Sequence, residues 1–215
     1  MRTCGVPARA VADLGILKTL FADLCAVNER TNLTRITDWD DYWYRHILDS
    51  LAVGQVVPEL MASSLRVADV GCGAGFPLLV LGWANASLCI TGIEPRSRKA
   101  AFVRREAEML GLDNCTVLAT QAREAGRLGE HRHAYDVVLL RAVGSVGRMV
   151  RECRGLIRPG PGSRLVFYKT PATVCEETRL AEREAAKFGL RATYSEPIQL
   201  PAGGARQFII LSSAA

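Results

Sequence analysis

The stretch Val67-Ala68-Asp69-Val70-Gly71-Cys72-Gly73-Ala74-Gly75-Phe76-Pro77 constrains the fold most, because it carries an apolar strand pattern into a helical one across three alternate glycines. Glycine suits such a turn where a side chain would keep the backbone from a ligand, and where the chain needs angles that only glycine adopts cheaply. The next strand pattern ends in an acid, Glu94. In an open α/β sheet this pairing is the mouth of a nucleotide-type cofactor site, with the acid placed to accept ribose hydroxyls. The dinucleotide fingerprint G-x-G-x-x-G would put its third glycine at position 76, where the chain has Phe76, so a pyrophosphate is disfavoured.

Strand and helix patterns alternate around this turn. Strands are expected near Leu65–Val70, Leu88–Glu94, Cys115–Thr120, Tyr135–Arg141 and Arg164–Tyr168, with helices near Pro77–Ala84, Pro95–Leu110 and Ser145–Ile157. That alternation predicts a doubly wound α/β domain with a mostly parallel sheet. A charged helix over Thr173–Phe188 follows, and Ala192–Leu200 with Gln207–Ser212 read as a closing antiparallel pair around Pro201-Ala202-Gly203-Gly204. Ahead of the domain, apolar residues recur at helical spacing from Ala8 to Arg30, and a second helix is expected over Asp40–Val53, capped by Asp38 or Asp40. The expected organisation is a helical extension over residues 1–60 and an α/β domain over 61–215, packed as one unit.

With 215 residues, 49% hydrophobic and 23% charged, the chain can bury a full core and has the balance of a soluble globular protein. Neither a signal peptide nor a membrane span is expected, since Asp13, Lys18 and Asp23 break the apolar residues near the N-terminus. Seven widely spaced cysteines without a C-x-x-C pair argue for buried thiols in a reducing cytoplasm rather than a disulfide framework or a zinc site. The net charge of +5 rests mainly on arginine, whose planar fork pairs with phosphate, so a polyanionic partner is compatible with the composition.

Ligands in such sheets bind beyond the carboxyl ends of the strands, which selects Asp69 and the glycine loop, Glu94, Ala122 with Arg123, Arg141 and Lys169. Arg141 closes the apolar run Val137-Val138-Leu139-Leu140 and is expected to point into the cleft rather than into a salt bridge. The same strand end has Arg141-Ala142-Val143, without the Asn or Asp followed by two prolines and an aromatic that holds an amino group for methylation. No Pro-Cys dipeptide offers the nucleophile that cytosine C5 chemistry needs. Ser, His and Asp in Arg45-His46-Ile47-Leu48-Asp49-Ser50 share a helix without a nucleophile elbow, so a hydrolytic triad is rejected, and His131 and His133 lack partners for a metal. Two basic groups remain as RNA-facing candidates: Arg148, Arg151 and Arg154 on one helix, and Arg96 with Arg98 after Glu94.

An alternate-glycine turn after an Asp-bearing strand is similar to the S-adenosylmethionine loop of Rossmann-like methyltransferases. Three segments narrow the resemblance: Asn32-Leu33-Thr34 with Arg45-His46-Ile47-Leu48-Asp49-Ser50-Leu51, the Asp69–Pro77 loop, and Tyr135-Asp136-Val137-Val138 leading into Arg141-Ala142-Val143. Over residues 20–210 the chain resembles the RsmG (GidB) family. That resemblance implies a class I methyltransferase fold and S-adenosyl-L-methionine-dependent methylation of guanine N7 in the 530 loop of 16S ribosomal RNA, in the bacterial cytoplasm. It implies the ribosomal RNA or small subunit as partner, no membrane and a monomer. It also implies cofactor contacts from Gly71, Phe76, Ala122, Arg123 and Arg141, with Glu94 at the ribose and Lys169 matching a family lysine; Asp69, Gly73 and Gly75 are expected to join them from the strand end and glycine loop, Arg141 to position the reaction and Lys169 to face RNA. The chain departs from the family pattern at Leu78, Gln121, Arg123 and Thr170, which leaves open a non-catalytic chaperone or assembly factor that keeps the fold.

Overall fold

The structure, a computed structural model, describes residues 14–31, 33–201 and 203–213. The first turns of the expected N-terminal helix, Asn32 of the Asn-Leu-Thr string, and Ala202 of the closing turn lie outside the described residues.

A helix α1 (Leu14–Thr31) is followed by a helical run that changes pitch as it goes: an α turn α2 (Trp39–Tyr42), a π-helical stretch (Trp43–Leu48), α3 (Asp49–Leu51) and a 3-10 turn (Ala52–Gln55). Asp38 caps it as expected, its Oδ1 accepting from the amides of Asp40 and Asp41 at 2.9 and 3.1 Å. A short helix α4 (Glu59–Ala62) leads into the sheet. The domain then runs β1 (Arg66–Val70), α5 (Leu78–Ala84), β2 (Cys89–Ile93), α6 (Ser97–Met109), β3 (Cys115–Leu118), α7 (Ala122–Ala125), β4 (Val137–Arg141), α8 (Val146–Cys153), β5 (Arg164–Lys169), α9 (Pro171–Ala186), β6 (Leu190–Tyr194), β7 (Ile198–Gln199) and β8 (Ala205–Ser213).

The sheet order is β3-β2-β1-β4-β5-β8-β6, parallel from β3 to β5, with β8 antiparallel to both β5 and β6 and the two-residue β7 paired to the start of β8. Order therefore reverses between β1 and β4, where a doubly wound sheet opens its ligand crevice. The closing strand is the expected one, but its outer partner β6 begins at Leu190, two residues ahead of expectation, and α8 ends at Cys153, four residues early.

Strand side chains alternate between two buried layers. Val67, Val137, Leu139, Val166, Tyr168 and Phe208 face a core shared with α1, the 39–62 segment, α5 and α6. Ala68, Val70, Val138, Leu140, Leu165, Phe167, Ile209 and Leu211 face a second core under α7, α8 and α9. Leu17, Leu20, Leu24, Tyr42, Ile47 and Leu60 of the N-terminal segment lie within the first core, so that segment serves as one wall of the sheet's packing. No helix among the described residues is long and apolar enough to cross a membrane.

Candidate cofactor and substrate site

The loop after β1 is held from three sides. Gly71 donates to the Ile93 carbonyl at 2.7 Å, the Gly75 and Phe76 amides both return to the Cys72 carbonyl, and the Leu78 amide at the head of α5 donates to Asp69 Oδ2 at 3.0 Å. Gly71, Gly73 and Gly75 all have positive φ, at 71°, 59° and 95°. Their reasons differ. A Cβ on Gly71 would lie 2.4 Å from Val143 Cγ1 and one on Gly75 2.5 Å from Leu79 Cδ1, so these two glycines admit close packing. A Cβ on Gly73 would meet only the Gly71 carbonyl oxygen within 4 Å and would otherwise fill open space, which marks Gly73 as the floor of a cradle that a ligand can approach.

Glu94 stands at the rim of that cradle. Its Oε2 accepts from the Gly73 amide at 3.1 Å and its Oε1 from the Arg96 amide at 3.0 Å. A carboxylate has about four acceptor positions, so two remain for hydroxyls. Asp69 lies deeper, 1% exposed, with its Oδ1 buried and unpartnered. Burial pushes its carboxyl up to about 7, against the opposing pull of the Leu78 amide and the Arg141 guanidinium.

Phe76, expected at the cofactor, is 7% exposed and its ring stacks on His46 at 4.3 Å with 4° between the planes. The face it offers to a ligand is thus its backbone. His46 in turn bonds to Thr34 Oγ1 through Nε2 at 3.0 Å, and burial next to Arg141 lowers its imidazole to about 3, so it stays neutral. The π-helical pitch of this stretch coincides with the packing of His46 and Tyr42 against Phe76.

The Arg141 guanidinium, expected to face the cleft, is engaged in a salt bridge instead. It pairs with Asp49 Oδ2 at 2.9 Å, donates to the Arg45 carbonyl at 2.5 Å and to Ser50 Oγ at 3.3 Å, and its side chain is 14% exposed. Arg206 of β8 grips the same carboxylate through Nε and Nη2, at 2.6 and 2.9 Å. The Tyr168 hydroxyl donates to the Ser50 carbonyl at 3.1 Å. Strand alternation explains the convergence: Arg141, Tyr168 and Arg206 stand in phase with Leu139, Val166 and Phe208, on the face that the N-terminal segment covers. Asp49 is 1% exposed, and a carboxylate so buried requires charged partners. The Arg-His-Ile-Leu-Asp-Ser string is therefore a latch joining the N-terminal segment to the open end of the sheet. Sequence reasoning noticed the string and missed this role, since its partners lie 91 to 157 residues away. Just after Arg141, Ala142 is held left-handed at φ 54°, turning the chain so that Val143 covers Gly71.

The other expected residues separate. Ala122 is buried in the first turn of α7, whereas the Arg123 side chain is exposed and lines a groove that also holds Arg151 and Arg154. Lys169, expected to face RNA, is 10% exposed and bound to Glu177 Oε2 at 3.2 Å and to the Gly144 carbonyl at 3.2 Å. Glu177 also caps α8 at the Val146 amide, so Lys169 sits among structural groups of the second layer. Arg96, Arg98 and Arg148 are exposed. Two departures from the family pattern have local work: Gln121 forms a capping box with Glu124 at the start of α7, and Thr170 accepts from the Thr173 amide at the start of α9. Among the described residues no three His, Cys, Asp or Glu side chains gather to hold a metal.

Fold and site define a class, the Rossmann-like fold of S-adenosylmethionine-dependent methyltransferases. A methyltransferase of that description from Aquifex aeolicus superposes with a TM-score of 0.60 over 86% of this chain and 98% of its own, at 14% identity. The chain belongs to the GidB family, whose model, described as rRNA small subunit methyltransferase G, matches residues 13–196. Proteins named ribosomal RNA small subunit methyltransferase G are 36% identical in Sorangium cellulosum, over 91% of this chain and 78% of that protein, and 30% identical in Lactobacillus delbrueckii, over 90% and 80%.

Proposed function

We propose that this chain transfers a methyl group from S-adenosyl-L-methionine to N7 of a guanine in the 530 loop of 16S ribosomal RNA, presented as RNA or within the small subunit in the cytoplasm. Bound in the cradle, the donor supplies an electrophilic methyl group on a sulfonium. The backbone at Gly71, Gly73 and Gly75 leaves room for it, Glu94 accepts its ribose hydroxyls, and Ala122 and Arg123 flank the adenine through backbone groups. Asp69 and Arg141 are positioning residues: the first fixes the loop to α5, and the second fixes the latch behind Phe76.

The observation that carries this reading is the state of the ionisable groups at the open end of the sheet. Asp69 is buried, Glu94 is bonded to two backbone amides, Asp49 is shared by two arginines, and His46 is neutral and stacked. Each is buried or already engaged, so none stands open to take a proton from a nucleobase as a general base. Guanine N7 needs no such step, because its lone pair attacks the methyl carbon directly. Catalysis then consists of holding the base in line, about 3 Å from the methyl group. N7 lies in the deep groove of A-form RNA beyond the reach of side chains, so the base must be unpaired or extruded, with Arg96, Arg98 and Arg148 near the exit to hold phosphates. The test is transfer of labelled methyl groups to small-subunit RNA from an unmodified strain, followed by the strand cleavage that 7-methylguanosine permits. A single cleavage in the 530 loop is expected, and label without cleavage there would refute the N7 assignment.

A further inference from the structure

A recess of about 1060 Å³ lies away from the cofactor end. Its lining includes His133, just before β4, Pro159 and Gly160, just before β5, and Ser213 at the end of the antiparallel β8. All of these mark the amino ends of the parallel strands. Arg123, at the head of α7 after β3, carries the lining back towards the carboxyl ends, so the recess runs along the flank of the sheet from the amino ends of β4 and β5 towards the cofactor side.

Six arginines line it, Arg123, Arg127, Arg132, Arg151, Arg154 and Arg158, against one acid, Glu152. Arg151 is paired with Glu184 and Arg158 with Asp136, and Arg154 lies over the Phe188 ring at 5.4 Å. Arg123, Arg127 and Arg132 are exposed and make no ion pair among the described residues. The crowding is built in by the backbone. Gly126 and Gly155 approach so closely that a Cβ on either would come within about 3.0 Å of the other's backbone, and this contact draws Arg123 and Arg127 towards Arg151 and Arg154. Gathering like charges in this way opposes folding, so a glycine-to-glycine contact that enforces it signals an anionic occupant. Arg148, one turn before Arg151 on the exposed face of α8, links this recess to the open end of the sheet at Gly144.

We infer that this recess is a second RNA-binding surface, which grips phosphates of the ribosomal RNA strand flanking the target loop while the base is held at the glycine cradle. The inference rests on the rRNA reading above and extends it to where the rest of the substrate runs. Guanidinium forks pair bidentately with phosphate, and six arginines drawn from α7, the loop before β4, α8 and the loop before β5 fit a strand with several phosphates better than a single small anion. The surface positions RNA and reads no bases.

The test is the variant Arg127→Glu/Arg132→Glu, which alters two exposed side chains with no partner to lose, so the fold is retained and a thermal melt checks it. Binding of the whole protein is measured against salt for two RNAs, a short hairpin carrying only the target loop and a long fragment with its flanking strands. For the long fragment the slope of log affinity against log salt falls by about 1.4 to 1.8, as expected for two lost phosphate contacts, and affinity falls at least tenfold. The short hairpin binds as before, and in methyl transfer KM for the long fragment rises while kcat stays within about twofold. Unchanged slope and KM on the long fragment overturn the inference. If the variant keeps its affinity for RNA and loses attachment to assembled small-subunit particles, the occupant is an acidic protein face and the RNA assignment is overturned. If the unaltered protein transfers no methyl group yet the variant shows the slope change, the surface stands and the proposed activity falls.

Discussion

Asp49→Ala is the perturbation that best tests the latch. The carboxylate is 1% exposed and holds two guanidiniums, Arg206 through two bonds of 2.6 and 2.9 Å and Arg141 at 2.9 Å. Its removal leaves both arginines, with side chains 19% and 14% exposed, facing each other without a counter-charge. Breaking a buried ion pair from one side costs about 3–5 kcal/mol, a large share of the roughly 5–15 kcal/mol that holds a domain together. At about 2–4 °C per kcal/mol for a chain of this size, the melting temperature falls by about 6–20 °C. Arg141→Ala is milder, about 1.5–3 kcal/mol, because Asp49 keeps its bidentate partner Arg206. Thermal melts of the three proteins, with donor titrations by calorimetry on each folded variant, measure both effects. The donor affinity falls with Asp49→Ala as well, since the latch backs the His46 and Phe76 stack under the loop. A melting temperature within about 2 °C of the parent for Asp49→Ala, or an Arg141→Ala penalty equal to it, would mean that the ion pair does not tie the segments together.

Two further sets of variants probe the loop and its backing. Gly73→Ala adds a methyl group into open space at φ 59°, so it folds with a penalty of about 1–2 kcal/mol and loses donor affinity at least tenfold, whereas Gly75→Ala, 2.5 Å from Leu79 Cδ1, loses stability first. Equal donor affinity in Gly73→Ala and the parent would remove Gly73 from the cradle. The lowered imidazole of His46 makes its contribution to stability complete above its unfolded value of 6.5, and that contribution is lost as pH falls towards about 3. Between pH 7 and pH 5 the parent therefore loses about 2 kcal/mol relative to His46→Gln, a comparison in which the opposite titration of Asp69 cancels. Urea melts of both proteins at the two pH values show this as a changing difference, and a constant difference would mean that His46 is not held neutral.

The sequence pattern of the N-terminal run predicts one helix over 40–53, and the structure divides it among α, π and 3-10 pitch, because Tyr42, His46 and Ile47 are placed by what they pack against. Local pattern carried further in the domain. Apolar runs bounded by turn residues located all five parallel strands and the alternate glycines located the cradle, while Glu94, 21 residues from Gly73, was legible because it ends the very next apolar strand run. What local pattern does not encode is which layer covers each strand face. Arg141 and Lys169 both end apolar strands and looked alike in sequence. Tertiary packing sends Arg141 to Asp49 and Lys169 to Glu177, because their positions in the alternation place them on opposite faces of the sheet. In the same way the sequence showed a stripe of arginines on one helix, but only the contact between Gly126 and Gly155 brings Arg123 and Arg127 to it from another element. Residue type and short-range spacing determined the strands, the turn and the charge. Where that charge is concentrated, and which charged strand end is tied down, follow from long-range packing, since the partners are decided by which buried faces meet.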